Sequence, residues 1–389
     1  MLGLEHAGRF SPPAECLGGS ERVALLALEQ LASRGFRVLL ACPPNTELAS
    51  EAKKRGIATR PFRFLTMTRT RDPRTALTYL RSVTTVGREL GRLCREEHVD
   101  VVHSFSTIAG LYAVVASAHA RVPLIVHVQD AQPPRRLVRY AALRVIGHRA
   151  TRLICVSHAV ERMLRESRLP ARKLALLYNA VEPRFFEPNL EALPAVSGCG
   201  PHVGHFSHIL PWKGQDVFLE AAALVAERFP SARFYVVGAT AVGVPESYVA
   251  SLHGRADGPP LAGHVRLTGP CRDVAPLMAA MDVVVHTSVT PEAFGLVIAE
   301  GMALGKSVVV ADCGAPPELV THRKTGYVAR AGDAQGLARM LVQVLEQRDP
   351  EIERRAAAVA RDRFAPELFG DELESLYDDV LRAAAKAGG

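Results

Sequence analysis

Short apolar runs and longer amphipathic stretches alternate along the chain. Residues 281–286, MDVVVH, form a β-branched apolar run, the mark of a strand buried on both faces. Thr287, Ser288, Thr290 and Pro291 stop that strand and can cap the next element. From Glu292 to Leu304 the apolar residues Phe294, Val297, Ile298 and Met302 recur at helical spacing, which predicts a helix. Residues 307–311 are a second apolar strand. Similar runs at 2–6, 36–41, 100–105, 123–130, 152–157 and 174–181 alternate with helical stretches, and the pattern restarts at 203–207, 234–238 and 265–269. Between the halves lies EPNLEALPAVSGCGP, residues 187–201, whose Pro, Gly and small residues read as a linker. The expectation is two doubly wound α/β domains, 1–186 and 202–363, followed by a terminal helix at 364–389. The opening strand is short enough that the start looks truncated.

A length of 389 residues accommodates two domains, and 48% hydrophobic with 22% charged residues is the balance of a globular protein. No apolar run approaches the ~18 residues of a spanning helix, and no signal peptide is visible. The seven cysteines (16, 42, 94, 155, 199, 271 and 313) form no Cys-x-x-Cys pair and read as buried apolar residues of a reducing, cytoplasmic compartment. A net charge of +7 suits phosphorylated ligands or an anionic membrane surface. Nucleic acid is not expected, because no matching motif or interleaved aromatics occur. The stretch RRLVRYAALRVIGHR, 135–149, is a basic helix that can lie on anionic lipid at the inner face of the cell membrane or pack as an ordinary core helix.

The candidate chemistry gathers around 292–300. Continuous helix would put Glu292 and Glu300 ~12 Å apart along the axis and ~80° apart around it. The backbone N–H groups of Phe294, Gly295 and Leu296, at a helix N-terminus, would attract phosphate. One element then offers hydroxyl acceptors at both ends and phosphate donors between. Lys213, in a loop between strand and helix, is placed for a diphosphate. Within 17–34, Gly18 and Gly19 lead into an amphipathic helix, either as a loop approached by a ligand or as the lead-in to an N-cap at Ser20. His127, Gln129 and Asp130 lie towards the carboxyl end of a strand, where ligands gather in open sheets. Gly198, Gly200 and Gly204 miss the dinucleotide spacing, and residues 301–307 run helix to strand, the reverse of a P-loop. No metal site is expected.

The run PEAFGLVIAEGMALGKSVVVADCGAPPELV resembles the donor-site signature of the retaining GT-B glycosyltransferases of family 4. Glu292 and Glu300 match its glutamate pair, and Gly314, Ala315, Pro317 and Glu318 its following turn, with Ala315 in place of a second glycine. Lys213 matches a phosphate-facing lysine, whereas the arginine expected five residues earlier is His208. His127 is similar to an active-site histidine near this strand end, with Gln129 as the alternative alignment. The resemblance implies GT-B, with two Rossmann-like domains facing a central cleft, and a terminal helix that crosses back onto the first domain.

The implied activity is retaining hexosyl transfer from a nucleotide diphosphate sugar to a hydroxyl of a polysaccharide, lipid-linked or small-molecule acceptor, without metal or other cofactor. Glu300 would accept from the ribose and Glu292 from the sugar. Lys213, His208 and the 294–296 amides would take the diphosphate, and His127 would contact the sugar. The Gly18–Gly19 turn would face the donor phosphates or the acceptor. Two alternatives stand beside this: a catalytically weakened nucleotide-binding GT-B protein, favoured by His208, and a GT-B sugar-nucleotide epimerase.

Overall fold

The computed structural model describes residues 1–4, 17–65, 72–131, 137–187, 190, 196 and 200–388. Most of the linker expected at 187–201, the strand end at 5–6, the two arginines at 135–136, Cys16 and Cys199 lie outside them. The chain forms two compact units.

The first unit comprises the opening strand, Leu17–Asn179 and Pro366–Gly389. Its elements are β1 (Leu2–Leu4), α1 (Gly19–Ser33), β2 (Leu39–Cys42), α2 (Glu47–Lys54), β3 (Ala58–Pro61), α3 (Pro73–Glu96), β4 (Val102–Ser104), α4 (Thr107–Ala120), β5 (Leu124–Val128), α5 (Leu137–Arg149), β6 (Arg152–Cys155), α6 (His158–Glu166) and β7 (Leu174–Leu176). The strands pair in parallel in the order β3-β2-β1-β4-β5-β6-β7, so the winding reverses between β1 and β4. β1, β2, β4 and β5 are buried at every position, as apolar runs with helices on both faces require.

α3 and α4 are fused by glycine. A Cβ on Gly87 would stand 2.5 Å from Cβ of Val115, and one on Gly91 2.7 Å from Cβ of His119. The absent side chains therefore let the two backbones approach closely. Tyr79 of α3 meets Tyr112 of α4 edge-on at 6.3 Å.

The second unit, Ala180–Ala365, repeats the design. It contains β8 (His202–Phe206), α7 (Gln215–Arg228), β9 (Arg233–Val237), α8 (Glu246–Asp257), β10 (Val265–Gly269), α9 (Ala275–Ala279), β11 (Val283–His286), α10 (Leu296–Ala303), β12 (Ser307–Ala311), α11 (Pro316–Leu319), β13 (Tyr327–Ala329), α12 (Ala334–Glu346) and α13 (Pro350–Phe364). The parallel order is β10-β9-β8-β11-β12-β13, with the reversal between β8 and β11. Phe218, Phe234, Val285 and Leu341 lie in one core.

Residues 180–186, read from sequence as the close of the first domain, belong to this second unit. The Val181 N–H donates to Phe364 O at 2.9 Å, Phe185 is buried, and Arg361 lies over the Phe186 ring. The last helix, α14 (Pro366–Gly388), lies in the first unit against α1. Arg34 donates to Glu367 O and to the Asp371 carboxylate, and Tyr377 reaches His103 Nδ1 at 2.7 Å. Burial pushes the Tyr377 phenol well above its ordinary value.

Gly87→Val is expected to destabilise the protein by about 2–3 kcal/mol through overpacking. Gly254→Ala, in α8 where an added Cβ meets nothing within 4 Å, should instead stabilise by about 0.5–1 kcal/mol. Urea titration of the two variants tests the pair, and equal effects would refute the packing assignment.

Candidate active site

The carboxyl ends of β8 and β11 flank the point where the second sheet reverses, the place where open parallel sheets form a crevice. Both strands run into polar loops there. After β8 come Ser207, His208 and the turn Pro211–Lys213, and after β11 come Thr287, Ser288 and Glu292.

A glycine contact and a threonine hydroxyl hold the two loops together. Gly214 sits at φ +70°, and a Cβ there would fall 2.2 Å from Thr287 O. The Thr287 hydroxyl is shared between the carbonyls of Lys213 and Gly214, 2.9 Å from each, and His205 Nε2 lies 2.9 Å from the same oxygen. With its proton engaged, that oxygen accepts from His205, which fixes the imidazole as the Nε2–H tautomer. The Val289 N–H donates to Trp212 O at 2.9 Å. The polar residues after β11 therefore tie two loops together instead of capping a helix.

The helix expected from Glu292 begins only at Leu296, with Gly295 at φ +89° as its N-cap. Glu292 is held outside it. Its N–H donates to Cys313 O at 3.0 Å, and its carbonyl accepts from the Ala315 N–H at 2.9 Å. Gly314, at φ +92°, allows this pairing, since a Cβ there would lie 2.3 Å from Glu292 O. Helical spacing therefore does not describe the separation of Glu292 and Glu300. The N-terminus of α10 nonetheless reaches the site, because a Cβ on Gly295 would lie 3.6 Å from Glu292 Cγ. The first turn of this helix, starting at Leu296, presents the positive end of the dipole. Phe294, just before it, turns its ring onto Phe364, with centroids 5.5 Å apart. Glu300 sits within α10 and is wholly buried.

Three donors converge on one oxygen of Glu292. Lys213 Nζ lies 2.6 Å from Oε2, the Ser288 hydroxyl 3.0 Å, and His286 Nε2 3.1 Å. Among the described residues no donor is recorded on Oε1. The side chain is 15% exposed and that of Lys213 23%. Burial disfavours the charge, but Lys213 and the His286 hydrogen bond outweigh it and hold the carboxyl well below its usual range. His286 Nδ1 is buried with no hydrogen-bond partner among the described residues. His208 lies beside this group. Burial, helped by the Lys213 charge, takes its pKa down to about 4, so it is a neutral imidazole.

His286 and Ser288 were not singled out in the sequence. His286 reads there as the last residue of an apolar strand and Ser288 as a turn residue. The available signal was position, since both lie where a central strand meets its carboxyl-end loop.

The first unit holds the other candidates. Gly18 is the N-cap of α1 and Gly19 its first residue, so the cap is not Ser20. Glu21, three residues into the helix, accepts from the Gly18 N–H at 2.6 Å and satisfies the terminus in its place. His127 lies within β5, fully buried, its ring 5.7 Å from that of His103 at 16°. Neither ring nitrogen has a hydrogen-bond partner among the described residues, and burial lowers its pKa to about 3. Beyond it, Gln129 donates to Phe105 O, and Asp130 accepts from the Thr107 hydroxyl at 2.6 Å.

Residues 200–347 match the family described as Glycosyl transferases group 1, and residues 17–185 match Glycosyltransferase Family 4. The chain belongs to the group 1, family 4 glycosyltransferases. Among its relatives, the N-acetyl-alpha-D-glucosaminyl L-malate synthase of Bacillus anthracis is 29% identical over 58% of this chain and 59% of its own length. The chain thus spans about three-fifths of that relative. A GDP-mannose-dependent alpha-(1-6)-phosphatidylinositol monomannoside mannosyltransferase of Mycobacterium tuberculosis is 27% identical over 77% of this chain and 80% of that one. The Anabaena protein HepE, solved with UDP and glucose, superposes with a TM-score of 0.80 at 26% identity over 97% of this chain and 98% of its own. The fold is GT-B.

Burial yields two predictions. His286→Leu removes one donor from a largely buried carboxylate and should cost about 1–3 kcal/mol in urea unfolding, with His286→Gln recovering part of it. An unchanged midpoint in His286→Leu would refute the anchoring role. The buried neutral histidines 103, 127 and 205 have folded pKa values below the unfolded ~6.5, to about 3 for His127 and His205. The unfolded chain therefore binds more protons below that point. Stability is unaffected above ~6.5 and falls as pH drops, by up to ~1.4 kcal/mol per pH unit for each histidine. His127→Phe should flatten the decline between about pH 6.5 and 5, before carboxylates titrate. Parallel pH–stability curves for the two proteins would refute it.

Proposed function

We propose that this glycosyltransferase moves a hexosyl group from a nucleotide diphosphate sugar to an acceptor hydroxyl, with retention at the anomeric carbon. The observation that carries the reading is the Lys213–Glu292 pair, 2.6 Å apart at the sheet's reversal beside the N-terminus of α10. A lysine and a helix N-terminus form a place for phosphate, and a carboxylate with one oxygen anchored and the other carrying no recorded donor can accept from sugar hydroxyls.

The donor diphosphate competes with Glu292 for Lys213. As the bond from the anomeric carbon to the diphosphate breaks, its electron pair passes to the leaving oxygen, the acceptor hydroxyl oxygen bonds to that carbon on the same face, and the acceptor's proton passes to the departing diphosphate. Lys213 and the first-turn amides of α10 stabilise the charge that grows there. Glu292 stays ionised, held by His286 and Ser288, and accepts from the sugar through Oε1. Glu300 accepts from the ribose. His127 is fully buried beside His103, so the sugar contact that the resemblance implies for it is not part of this reading. The charge compensation is supplied by the protein and needs no metal ion.

The relative solved with UDP and glucose supports a sugar nucleotide as donor. The mannosyltransferase and malate-glycoside synthase relatives support a hydroxyl acceptor of the lipid-linked or small-molecule type. One observation favours the second reading, a weakened nucleotide binder. His208 is neutral where the resemblance places an arginine, which leaves one cation fewer for a diphosphate.

A thermal-shift screen of UDP, GDP and ADP and their glycosyl derivatives is expected to single out one nucleotide. With that donor, Lys213→Ala and Glu292→Gln should each lower kcat/KM by about 10²–10³, and a chelator should leave the wild-type rate unchanged. Full turnover in Lys213→Ala would refute the reading. Nucleotide binding without transfer to any acceptor would favour the weakened binder.

A further inference from the structure

The sequence divides its charge unevenly. Residues 1–179 carry 28 Lys and Arg against 14 Asp and Glu, a net +14, whereas residues 180–389 carry 19 against 26, a net −7. A helix in the first unit concentrates part of that excess. In α3, Arg74, Arg81, Arg88 and Arg95 recur at every seventh residue. At ~1.5 Å per residue they form a ladder ~31 Å long, and a drift of ~20° per step keeps all four within a sector of about 60°. All four are exposed, as is Arg92 in the same sector.

Their partners are few. Arg95 reaches the carbonyl and ring of His119 in α4. Among the described residues no ion pair joins Arg74, Arg81, Arg88 or Arg92 to a carboxylate. The acidic side chains on this helix are Glu89 and Glu96, both towards its C-terminal half, and Asp72 at the N-cap accepts from the first-turn amides. Desolvation and the charges of Arg95, Arg92 and Arg88 lower the pKa of His119, a sign of the positive field at that end.

The amino half of the ladder also carries apolar groups. Leu77 is 49% exposed and Leu80 58%, the latter the most exposed large hydrophobic side chain among the described residues. α3 is held on α4 through Gly87 and Gly91, which lie on the flank of the ladder about 70–110° from its middle, and that contact fixes the rotation of the helix.

We propose that the outer face of α3 docks this protein on an anionic lipid bilayer, with Arg74, Arg81, Arg88, Arg92 and Arg95 on the phosphate headgroups and Leu77 and Leu80 in the headgroup–acyl boundary. A soluble polyanion would match the arginines, but exposed leucines beside them gain nothing from it. A bilayer takes both, and on α3 Leu77 lies within the ladder's sector while Leu80 lies about 60° beyond its edge. The inference is independent of the transfer reaction and differs from the sequence-based expectation for 135–149, which assigned lipid contact to α5.

The test is flotation of the full chain with vesicles of phosphatidylcholine alone or mixed equally with phosphatidylglycerol. The wild type should float with the anionic vesicles only and be released at about 0.5 M salt, where the Debye length falls to a few ångströms. Arg81→Ala with Arg88→Ala should weaken binding about 20–30-fold, at roughly fivefold per cation, whereas the matching lysine pair should stay within about twofold of the wild type. Leu77→Ser with Leu80→Ser, which leaves the charge intact, should weaken it about tenfold. These side chains are exposed, so unchanged melting temperatures will accompany the losses. Absence of wild-type binding to anionic vesicles would overturn the proposal, as would binding that survives both double substitutions. Loss with the arginine pair but not the leucine pair, together with equal affinity for a soluble acidic polysaccharide, would reassign the face to a polyanion and overturn the lipid reading.

Discussion

A carboxylate that is mostly removed from water must have its charge compensated, and much of the second unit's loop structure around Glu292 meets that requirement. Three donors of different kinds reach one oxygen, and each arrives on a different piece of chain. Lys213 comes from the loop after β8, His286 from the end of β11 and Ser288 from the turn beyond it. For all three to meet, the two loops must pack backbone to backbone. That is why Gly214 lies against the Thr287 carbonyl and Gly314 against the backbone of Glu292 itself. A methyl group at either position would push a loop away. The lysine and the glutamate would then each face the solvation cost that their pairing offsets.

The same arrangement gives the site its two-sided character. Because the donors all use Oε2, the charge is stabilised without occupying the whole carboxylate. Lys213 is the more exposed member of the pair, 23% against 15%. His286 and Ser288 help hold the carboxylate ionised. Neutral histidines around it sharpen the contrast. His205 and His208 are kept uncharged by burial, so Lys213 supplies the mobile positive charge within the cluster.

The sequence revealed the strands better than the turns. The run 281–286 contains β11, and 307–311 is β12, because a strand buried on both faces has no choice but to be apolar throughout. The helix read from 292 starts four residues later, since Phe294 mimics helical periodicity while packing on Phe364. Gly295 was the visible clue, a residue suited to the left-handed conformation it adopts. The cap of α1 was misassigned for a related reason. Ser20 is the preferred residue type, yet Glu21 reaches back to the Gly18 amide and fixes the helix start two residues earlier. His286 was not legible as a site residue, because a strand-terminal histidine carries no pattern of its own. Glu292 was singled out with Glu300 through a family signature and Lys213 through its loop between strand and helix, but the meeting of Lys213 with Glu292 across 79 residues is a tertiary contact that no local pattern expresses.

The two units use histidine at their strand ends in opposite ways, and the difference lies in what each ring can reach. In the second unit the imidazoles of His205 and His286 have a hydroxyl and a carboxylate within 3.1 Å. They bind neighbouring loops into a fixed arrangement around one charge. In the first unit His103 stacks on His127 and on Phe105, and among the described residues the hydrogen bond these rings make is between His103 and the Tyr377 hydroxyl of α14. There the rings behave mainly as flat apolar filler, and the phenol gives the terminal helix a polar attachment to the sheet's interior. The same residue type at comparable places in two similarly wound sheets thus stabilises charge in one and excludes it from the other. For His286 the carboxylate within reach decides its role, whereas His205 in the same unit meets a hydroxyl and a carbonyl and holds two loops together.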